Sequence, residues 1–136
     1  MHIEFVVPGP PISNQRPGPN LTAWKASVAA EAKSQYGGKT ILKDRLKEII
    51  IIINFHLGPE PSVDVDNMSK PIFDALQGIV YEDDRQIRQA ELTHVRIDAP
   101  FVFVGASKIL VAAVQTGNLF VYVRIEDPID PFPLPK

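Results

Sequence analysis

Four stretches of the chain carry the apolar and β-branched residues that are typical of strands. They are His2–Val7, Leu46–Leu57, Gln86–Ile97 and Asn118–Glu126. The second contains the nearly continuous run EIIIIINF, which predicts a central strand buried on both faces. Prolines at 59 and 61 end this strand.

Three other stretches have helical spacing: Leu21–Tyr36, Asn67–Val80 and Gly105–Gly117. In the first, apolar residues recur one turn apart and a Gly-Gly pair follows as a stop. In the second, Asp66 or Asn67 is the expected N-cap, and Pro71 is expected near the first turn, where proline costs least. The proline-rich segment Pro8–Pro19 is expected to be an irregular loop.

The order β-loop-α-β-α-β-α-β predicts an α+β fold, a two-layer single domain with a mixed four-stranded sheet. We assign residues 1–126 to this domain and residues 127–136, DPIDPFPLPK, to a proline-rich C-terminal tail. A length of 136 residues suffices for one sizeable core but not for two.

Charge is concentrated in one segment, residues 62–89. Its six carboxylates, Asp64, Asp66, Asp74, Glu82, Asp83 and Asp84, surround a single lysine, Lys70. On the predicted helix Asn67, Lys70 and Asp74 share one polar face. For any one carboxylate, a role in a turn, a cap or a solvated face is the better interpretation. If Gln86–Ile97 runs antiparallel to the chain leading into Asp64, however, the carboxylates converge at one end of the sheet.

The amino-acid composition limits which ligands and which metal ions such a cluster could involve. The chain has no cysteine, so disulfides and thiolate ligands are excluded. Converged carboxylates repel one another and stay ionised only beside a cation, and their hard oxygens favour Mg²⁺ or Mn²⁺. Such a site suits phosphoryl transfer, in which Lys70 could stabilise charge on the phosphate or protonate the leaving group. The net charge of −2 gives no support to a nucleic-acid partner.

The chain also lacks the patterns of a membrane protein. Its start, MHIEFVVPGPP, has no basic region followed by a long apolar one, and its longest apolar runs are too short to cross a bilayer. We therefore expect a cytoplasmic protein with no membrane partner.

Three segments together resemble the signature of the RusA family of Holliday junction resolvases. They are DVDNMSK (64–70), DALQG (74–78) and EDDRQI (82–87), which fit D-x-D-N-x-x-K, D-A-L-x-G and E-D-D-x-Q-I. The loop Gly9–Pro17 is also similar to the G-x-P-x-x-x-x-R-P loop of that family. The resemblance covers most of the chain and is weakest after Ile97.

The resemblance implies a homodimeric, Mg²⁺-dependent endodeoxyribonuclease that resolves four-way DNA junctions by paired symmetric nicks, in recombination and repair. It implies that Asp64, Asp66 and Asp84 are catalytic metal ligands and that Lys70 is a catalytic lysine. Supporting roles fall to Asn67, Asp74 and Gln86. If DNA is the substrate, the candidate phosphate contacts are Arg16, Lys25, Arg85 and Arg88.

Two alternatives stay open beside this hypothesis. A non-catalytic DNA-structure-binding protein could keep the acidic face, although a binder gains nothing from the repulsion within it. A small-molecule phosphohydrolase is the weaker alternative, because the sequence has no Gly-rich phosphate loop.

Overall fold

A four-stranded mixed sheet with three helices forms the protein, in a computed structural model that describes residues 2–43, 47–128 and 130–135. In chain order the elements are β1 (Ile3–Pro8), α1 (Pro19–Tyr36), β2 (Glu48–His56), α2 (Val65–Leu76), a 3₁₀ turn (Asp84–Gln86), β3 (Ile87–Arg96), α3 (Lys108–Gln115) and β4 (Phe120–Glu126). The predicted α+β class, the element order and the single sheet are confirmed. Leu46, the predicted start of the second strand, lies outside the described residues, as do residues 129 and 136 of the predicted tail.

The strand order in the sheet is β1-β4-β2-β3. β4 pairs antiparallel with both β1 and β2, whereas β2 and β3 pair in parallel, with Ile52 opposite Leu92. α2 is therefore the crossover between two parallel strands, as such a connection requires. The antiparallel return of Gln86–Ile97 that the sequence left open does not occur.

The main core lies on the face of the sheet that α1 and α2 cover, which we call the inner face. β2 has hydrogen-bonded partners on both sides, and its Ile50 and Ile52 are fully buried here. From α1, the residues Trp24, Val28 and Ala32 pack against them in one stripe, as the helical spacing predicts. The inner face therefore supplies most of the apolar burial.

The opposite, outer face has a smaller core. Phe55, Ala113, Phe120 and Tyr122 form it, and Phe55 stacks on Phe120 with ring centroids 4.4 Å apart. α3 covers only part of this face. It begins later than predicted because Ser107 is its N-cap, accepting a hydrogen bond from the Leu110 N–H.

α2 differs most from its predicted bounds, because it begins at Val65 and ends at Leu76 instead of spanning 67–80. The N-cap position belongs to Asp64, and neither Asp66 nor Asn67 occupies it. Pro71 consequently lies inside the helix, where it cannot donate a hydrogen bond to the Asn67 carbonyl. The helix ends early because Gln77 is extended and Gly78 has a φ of 81°, which favours glycine.

No helix in the described ranges has the length and apolar character of a membrane span.

Candidate active site

The first turn of α2 presents two carboxylates to solvent. Asp64 and Asp66 are both exposed, and Asp64 makes no side-chain capping hydrogen bond although it holds the N-cap position. The unpaired N–H groups and the dipole of a helix N-terminus favour negative charge there. Because the Asp64 carboxylate does not cap the helix, its oxygens stay open to an external ligand.

Lys70 lies between two further carboxylates one turn along the same helix. Its Nζ atom is 2.9 Å from Asp74 Oδ1 and 2.8 Å from Asp84 Oδ2. Lys25 of α1 approaches the other oxygen of Asp74 at 3.8 Å. The sequence predicted that Lys70 and Asp74 share a face of the helix, and their contact confirms it.

These contacts fix the charge of the lysine. The hydrogen bonds to Asp84 and then to Asp74 raise the pKa of Lys70 above its ordinary value, against a small opposing effect of burial. The side chain is half exposed, so water screens the pair. Lys70 is therefore a cation throughout the neutral range and does not act as a base.

The side chain of Gln86 orders the turn before β3, which carries Asp83 and Asp84. Gln86 is buried, and its Oε1 accepts hydrogen bonds from the N–H groups of Glu82 and Asp83 at 2.9 and 3.0 Å. Its Nε2 donates to the Leu42 carbonyl at 2.6 Å. Gln86 thus ties the acidic turn to a distant part of the chain, which agrees with its expected supporting role.

Asp83 has a different environment from its neighbour Asp84. Its carboxylate accepts hydrogen bonds from the side chain and then from the backbone N–H of Arg85, which lower its pKa to about 2. Asp83 is thus engaged by Arg85, while Asp84 is engaged by Lys70. The two adjacent aspartates therefore face different partners.

Asp64 and Asp84 lie in connections at opposite ends of the strands β2 and β3. Asp64 follows the end of β2, whereas Asp84 precedes β3, whose first residue Ile87 is opposite Glu48 at the start of β2. Because β2 and β3 are parallel, Asp64 and Asp84 belong to opposite ends of this strand pair. Asp84 nevertheless contacts Lys70 of α2. Asp74 and Asp84 thus meet at Lys70 of α2, and the described carboxylates do not converge at one end of the sheet.

The donors suit a hard cation in chemistry but not in arrangement. Asp64 and Asp66 offer exposed oxygens, whereas an Asp84 oxygen is already bound to Lys70. Within the described ranges, no three His, Asp or Glu side chains are grouped so that they could hold a metal ion. The side chains of this structure therefore do not form a three-carboxylate cradle.

The proline-rich loop reaches the start of α2. A polar cleft of about 200 Å³ is lined by Ser13, Gln15, Arg16, Ser62, Asp64 and Asn67. The Arg16 N–H donates to the Ser13 carbonyl, and the Ser13 hydroxyl accepts from the Gln15 N–H, so the loop is ordered by its own polar groups. Arg16 and Asp64 therefore line the same cleft, an arrangement that the sequence did not reveal.

The other candidate DNA-contacting residues each have an intramolecular partner. Lys25 faces Asp74, and Arg85 faces Asp83 at 3.1 Å. The Arg88 guanidinium lies 4.2 Å from the centre of the Phe132 ring, which belongs to the tail. Of the four candidates, Arg16 has the position that best suits a phosphate contact near the acidic residues.

A histidine, His94, also lies within electrostatic reach of Asp64, although no sequence pattern singled it out. The amide Nδ2 of buried Asn54 donates to Nδ1 of His94 at 3.1 Å, and the His56 ring is edge-on to His94. Burial and His56 lower the pKa of His94, while a hydrogen bond with the Val63 backbone and then the charge of Asp64 oppose the shift. The available signal was Asn54 itself, a polar residue within a run of buried isoleucines.

A family model described as Endodeoxyribonuclease RusA matches residues 8–105. The chain belongs to the RusA family. The match includes the proline-rich loop, α2, the acidic turn and β3, which are the elements around Lys70. No curated protein matches the chain. Membership in an endodeoxyribonuclease family supports a nuclease, and it leaves α3, β4 and the tail outside the matched region.

Proposed function

We propose that the protein is an endodeoxyribonuclease that resolves four-way DNA junctions by paired symmetric nicks and requires Mg²⁺ or Mn²⁺. The observation that carries the proposal is on α2, where Lys70 contacts Asp74 and Asp84 and the first turn of the same helix carries the exposed Asp64 and Asp66. That face lies within the region matched by the RusA family.

Each residue has a role that follows from its position. Asp64 and Asp66 would hold the cation through exposed carboxylates at the helix N-terminus, and Asp84 would join them by exchanging its contact with Lys70 for the cation. When bound, such a cation polarises a phosphate oxygen and lowers the pKa of a water molecule. Lys70 stays protonated and stabilises negative charge that develops on the phosphate. Asn67 and Arg16 line the cleft through which the backbone of DNA would approach.

The overall charge of −2 does not prevent DNA binding. Phosphate contacts depend on local charge, and two of the candidate cations, Arg16 and Lys25, lie beside the acidic residues. A bound divalent cation would also remove part of the negative charge. We therefore expect binding that weakens steeply as salt is raised.

Paired nicking requires two sites. The domain has one Lys70-centred face, and a four-way junction has two-fold symmetry, so a homodimer would match its substrate.

A non-catalytic DNA-structure-binding protein is the second candidate. The pairing of Lys70 with Asp84 favours it, because the pair relieves the repulsion that made an acidic face useless to a binder. The described residues also do not group three carboxylates for a metal. A binder and a nuclease both hold the junction, but only a nuclease cuts it.

Incubation of the purified protein with Mg²⁺ and a labelled four-way junction, beside a duplex of the same sequence, separates the candidates. We expect nicks in opposing strands of the junction and an intact duplex. Binding of the junction without cleavage in Mg²⁺ or Mn²⁺ would contradict the nuclease and favour the binder. Equal cleavage of the duplex would contradict selectivity for junctions.

A further inference from the structure

A polar pair lies on the inner face of the sheet, at the end of β2 that leads toward Asp64. Asn54 is 2% exposed within the isoleucine run of β2, and its register partner on β3 is His94. The two side chains meet through Asn54 Nδ2 and His94 Nδ1, 3.1 Å apart. A buried amide is unfavourable in an apolar strand unless it has a hydrogen-bond partner. Apolar residues at both positions would avoid this requirement, so the pair points to a role beyond packing.

The contact with Asn54 determines which nitrogen of the His94 ring carries a proton. Because the amide N–H donates to Nδ1, that nitrogen is unprotonated, and the proton of the neutral ring is on Nε2. Burial and then His56 lower the pKa of His94, which favours the neutral ring. Nε2 is therefore a donor, and Asn54 fixes the direction in which it points.

The donor Nε2 faces the backbone of Val63, the residue before Asp64. The Val63 backbone acts to raise the pKa of His94, as a carbonyl acceptor does and an N–H donor does not. Because Asn54 occupies Nδ1, this contact falls to Nε2. Nε2 is buried and, among the described residues, has no partner at normal hydrogen-bond geometry, so its contact with Val63 is longer or more bent than that of Nδ1. The ring thus supports the chain one residue before Asp64.

The connection between β2 and α2, residues 57–64, is held by β3 near both of its ends. Near its start the Gly58 N–H donates to the Asp98 carboxylate at 3.2 Å, in an exposed contact. Near its end His94 reaches Val63, whose side chain is buried in the main core. Asp64 makes no side-chain capping hydrogen bond, so the position of its carboxylate depends on the backbone that precedes it.

We infer that Asn54 and His94 are positioning residues for Asp64. Asn54 orients the His94 ring, the ring restrains the backbone at Val63, and that backbone sets where the Asp64 carboxylate lies at the start of α2. Neither side chain needs to contact the cation or the DNA. This inference deepens the proposed function and rests on it, because Asp64 is a ligand of the proposed cation. Removal of such indirect partners lowers metal affinity about 10–100-fold in other proteins.

The test compares single and paired substitutions, because a purely structural pair and a positioning pair respond differently. Asn54→Leu and His94→Leu each leave one polar group without its partner, so each should lower the free energy of unfolding measured with urea. Asn54→Leu/His94→Leu removes both groups and should recover most of that loss. We expect the Mn²⁺ dissociation constant, measured by electron paramagnetic resonance, to stay raised about tenfold or more in the paired variant.

A conservative variant and a matched control complete the comparison. His94→Gln keeps an acceptor for Asn54 and a donor toward Val63, so it should restore part of the Mn²⁺ affinity. Thr93→Leu changes an exposed residue on the opposite face of β3 and should bind Mn²⁺ as the unchanged chain does. Nitrogen-15 NMR of the unchanged chain at neutral pH should show the His94 ring protonated on Nε2.

A folded paired variant that binds Mn²⁺ as tightly as the unchanged chain would overturn the inference and leave the proposed function intact. A ring protonated on Nδ1 would do the same, because it could neither accept from Asn54 nor donate to Val63. An unchanged chain that binds no Mn²⁺ would overturn the metal-dependent function and this inference with it. If the leucine pair does not fold, Asn54→Val/His94→Val gives the same comparison with residues that suit strands better.

Discussion

The two faces of the sheet differ in how many charged side chains their surfaces carry. On the inner face α1 and α2 close a large apolar core and leave a surface of paired charges centred on Lys70. On the outer face α3 closes a small core only in part, and the exposed apolar residues 101–104 carry no charge. A short domain can thus keep a charged surface on one face of its sheet and an uncharged apolar surface on the other.

Among the variants proposed for the inner face, Asp66→Asn should reduce junction cleavage the most. This change removes an exposed carboxylate from the inner face without altering the core, so folding should be retained. We expect cleavage of a junction to fall on the order of 10³-fold or more, while binding stays the same or tightens because repulsion of phosphate is reduced. Single-turnover cleavage and gel-shift binding measure the two quantities.

Asp130→Asn, in the exposed tail, is the control for Asp66→Asn because it removes the same charge elsewhere. It should cleave at the unchanged rate. An Asp66→Asn protein that cut almost as fast as its control would show that Asp66 is not a ligand in catalysis.

Lys70→Ala should have the next largest effect. It removes the cation that joins Asp74 and Asp84 and leaves the other carboxylates in place. We expect turnover to fall on the order of 10²-fold at saturating Mg²⁺ and junction, with affinity for Mn²⁺ spared. Lys70→Arg keeps the charge but not the compact ammonium, so it should restore activity only in part.

The control for Lys70→Ala is Lys108→Ala, an exposed lysine at the start of α3. A Lys70→Ala rate within about threefold of the unchanged protein, less than roughly 0.7 kcal/mol of barrier, would make Lys70 an ordinary surface lysine.

Gln86→Ala tests whether the acidic turn depends on its buried support. The change leaves the N–H groups of Glu82 and Asp83 and the Leu42 carbonyl without their partner. We expect a loss of about 1–3 kcal/mol in the free energy of unfolding, measured with urea, and weaker cleavage at a temperature where the variant is folded. Gln89→Ala on the outer face is the matched control. An equal loss of unfolding free energy in Gln89→Ala would show that Gln86 does not give the acidic turn particular support.

Arg85→Ala should have the smallest effect. Asp83 has a folded pKa near 2, below its usual value of about 3.9, so its pairing contributes stability above pH 4 that is lost as the pH falls toward 2. Removal of Arg85 should return the pKa of Asp83 toward the usual value, as measured by NMR titration. Because both groups are exposed, little change in stability at neutral pH should follow. An unchanged titration would show that the pair does not form in solution.

Much of this fold follows from short-range patterns. The stripe of Trp24, Val28 and Ala32 identified α1, and the isoleucine run identified β2, because burial imposes these periods directly on the sequence. The bounds of α2 did not follow, since the helix tolerates Pro71 in its interior and begins at Val65. Packing of Met68 and Ile72 in the core offsets the lost hydrogen bond.

The sequence could nominate members of the site but could not predict their contacts. The spacing of 64, 66, 70 and 84 marked the chemistry, and α2 places Lys70 and Asp74 together as its period requires. The strand–helix–strand order of β2, α2 and β3 favours a parallel pair, a signal that the antiparallel alternative did not use, but the strand pattern alone does not give the neighbours in the sheet. The contact of Lys70 with Asp84 depends on that long-range pairing, and the cleft shared by Arg16 and Asp64 depends on the packing of the proline-rich loop.

The proposed function depends most on one claim. Asp64 and Asp66 before Lys70, and Asp84 after it, must bind the same cation. Binding of Mn²⁺ to the full chain, counted by electron paramagnetic resonance, tests this claim most directly when the unchanged protein is compared with Asp64→Asn, Asp66→Asn and Asp84→Asn. We predict one bound ion per chain and weaker binding in all three variants, with Asp130→Asn unchanged. Absence of binding, or an Asp84→Asn protein that binds as tightly as the unchanged chain, would contradict it.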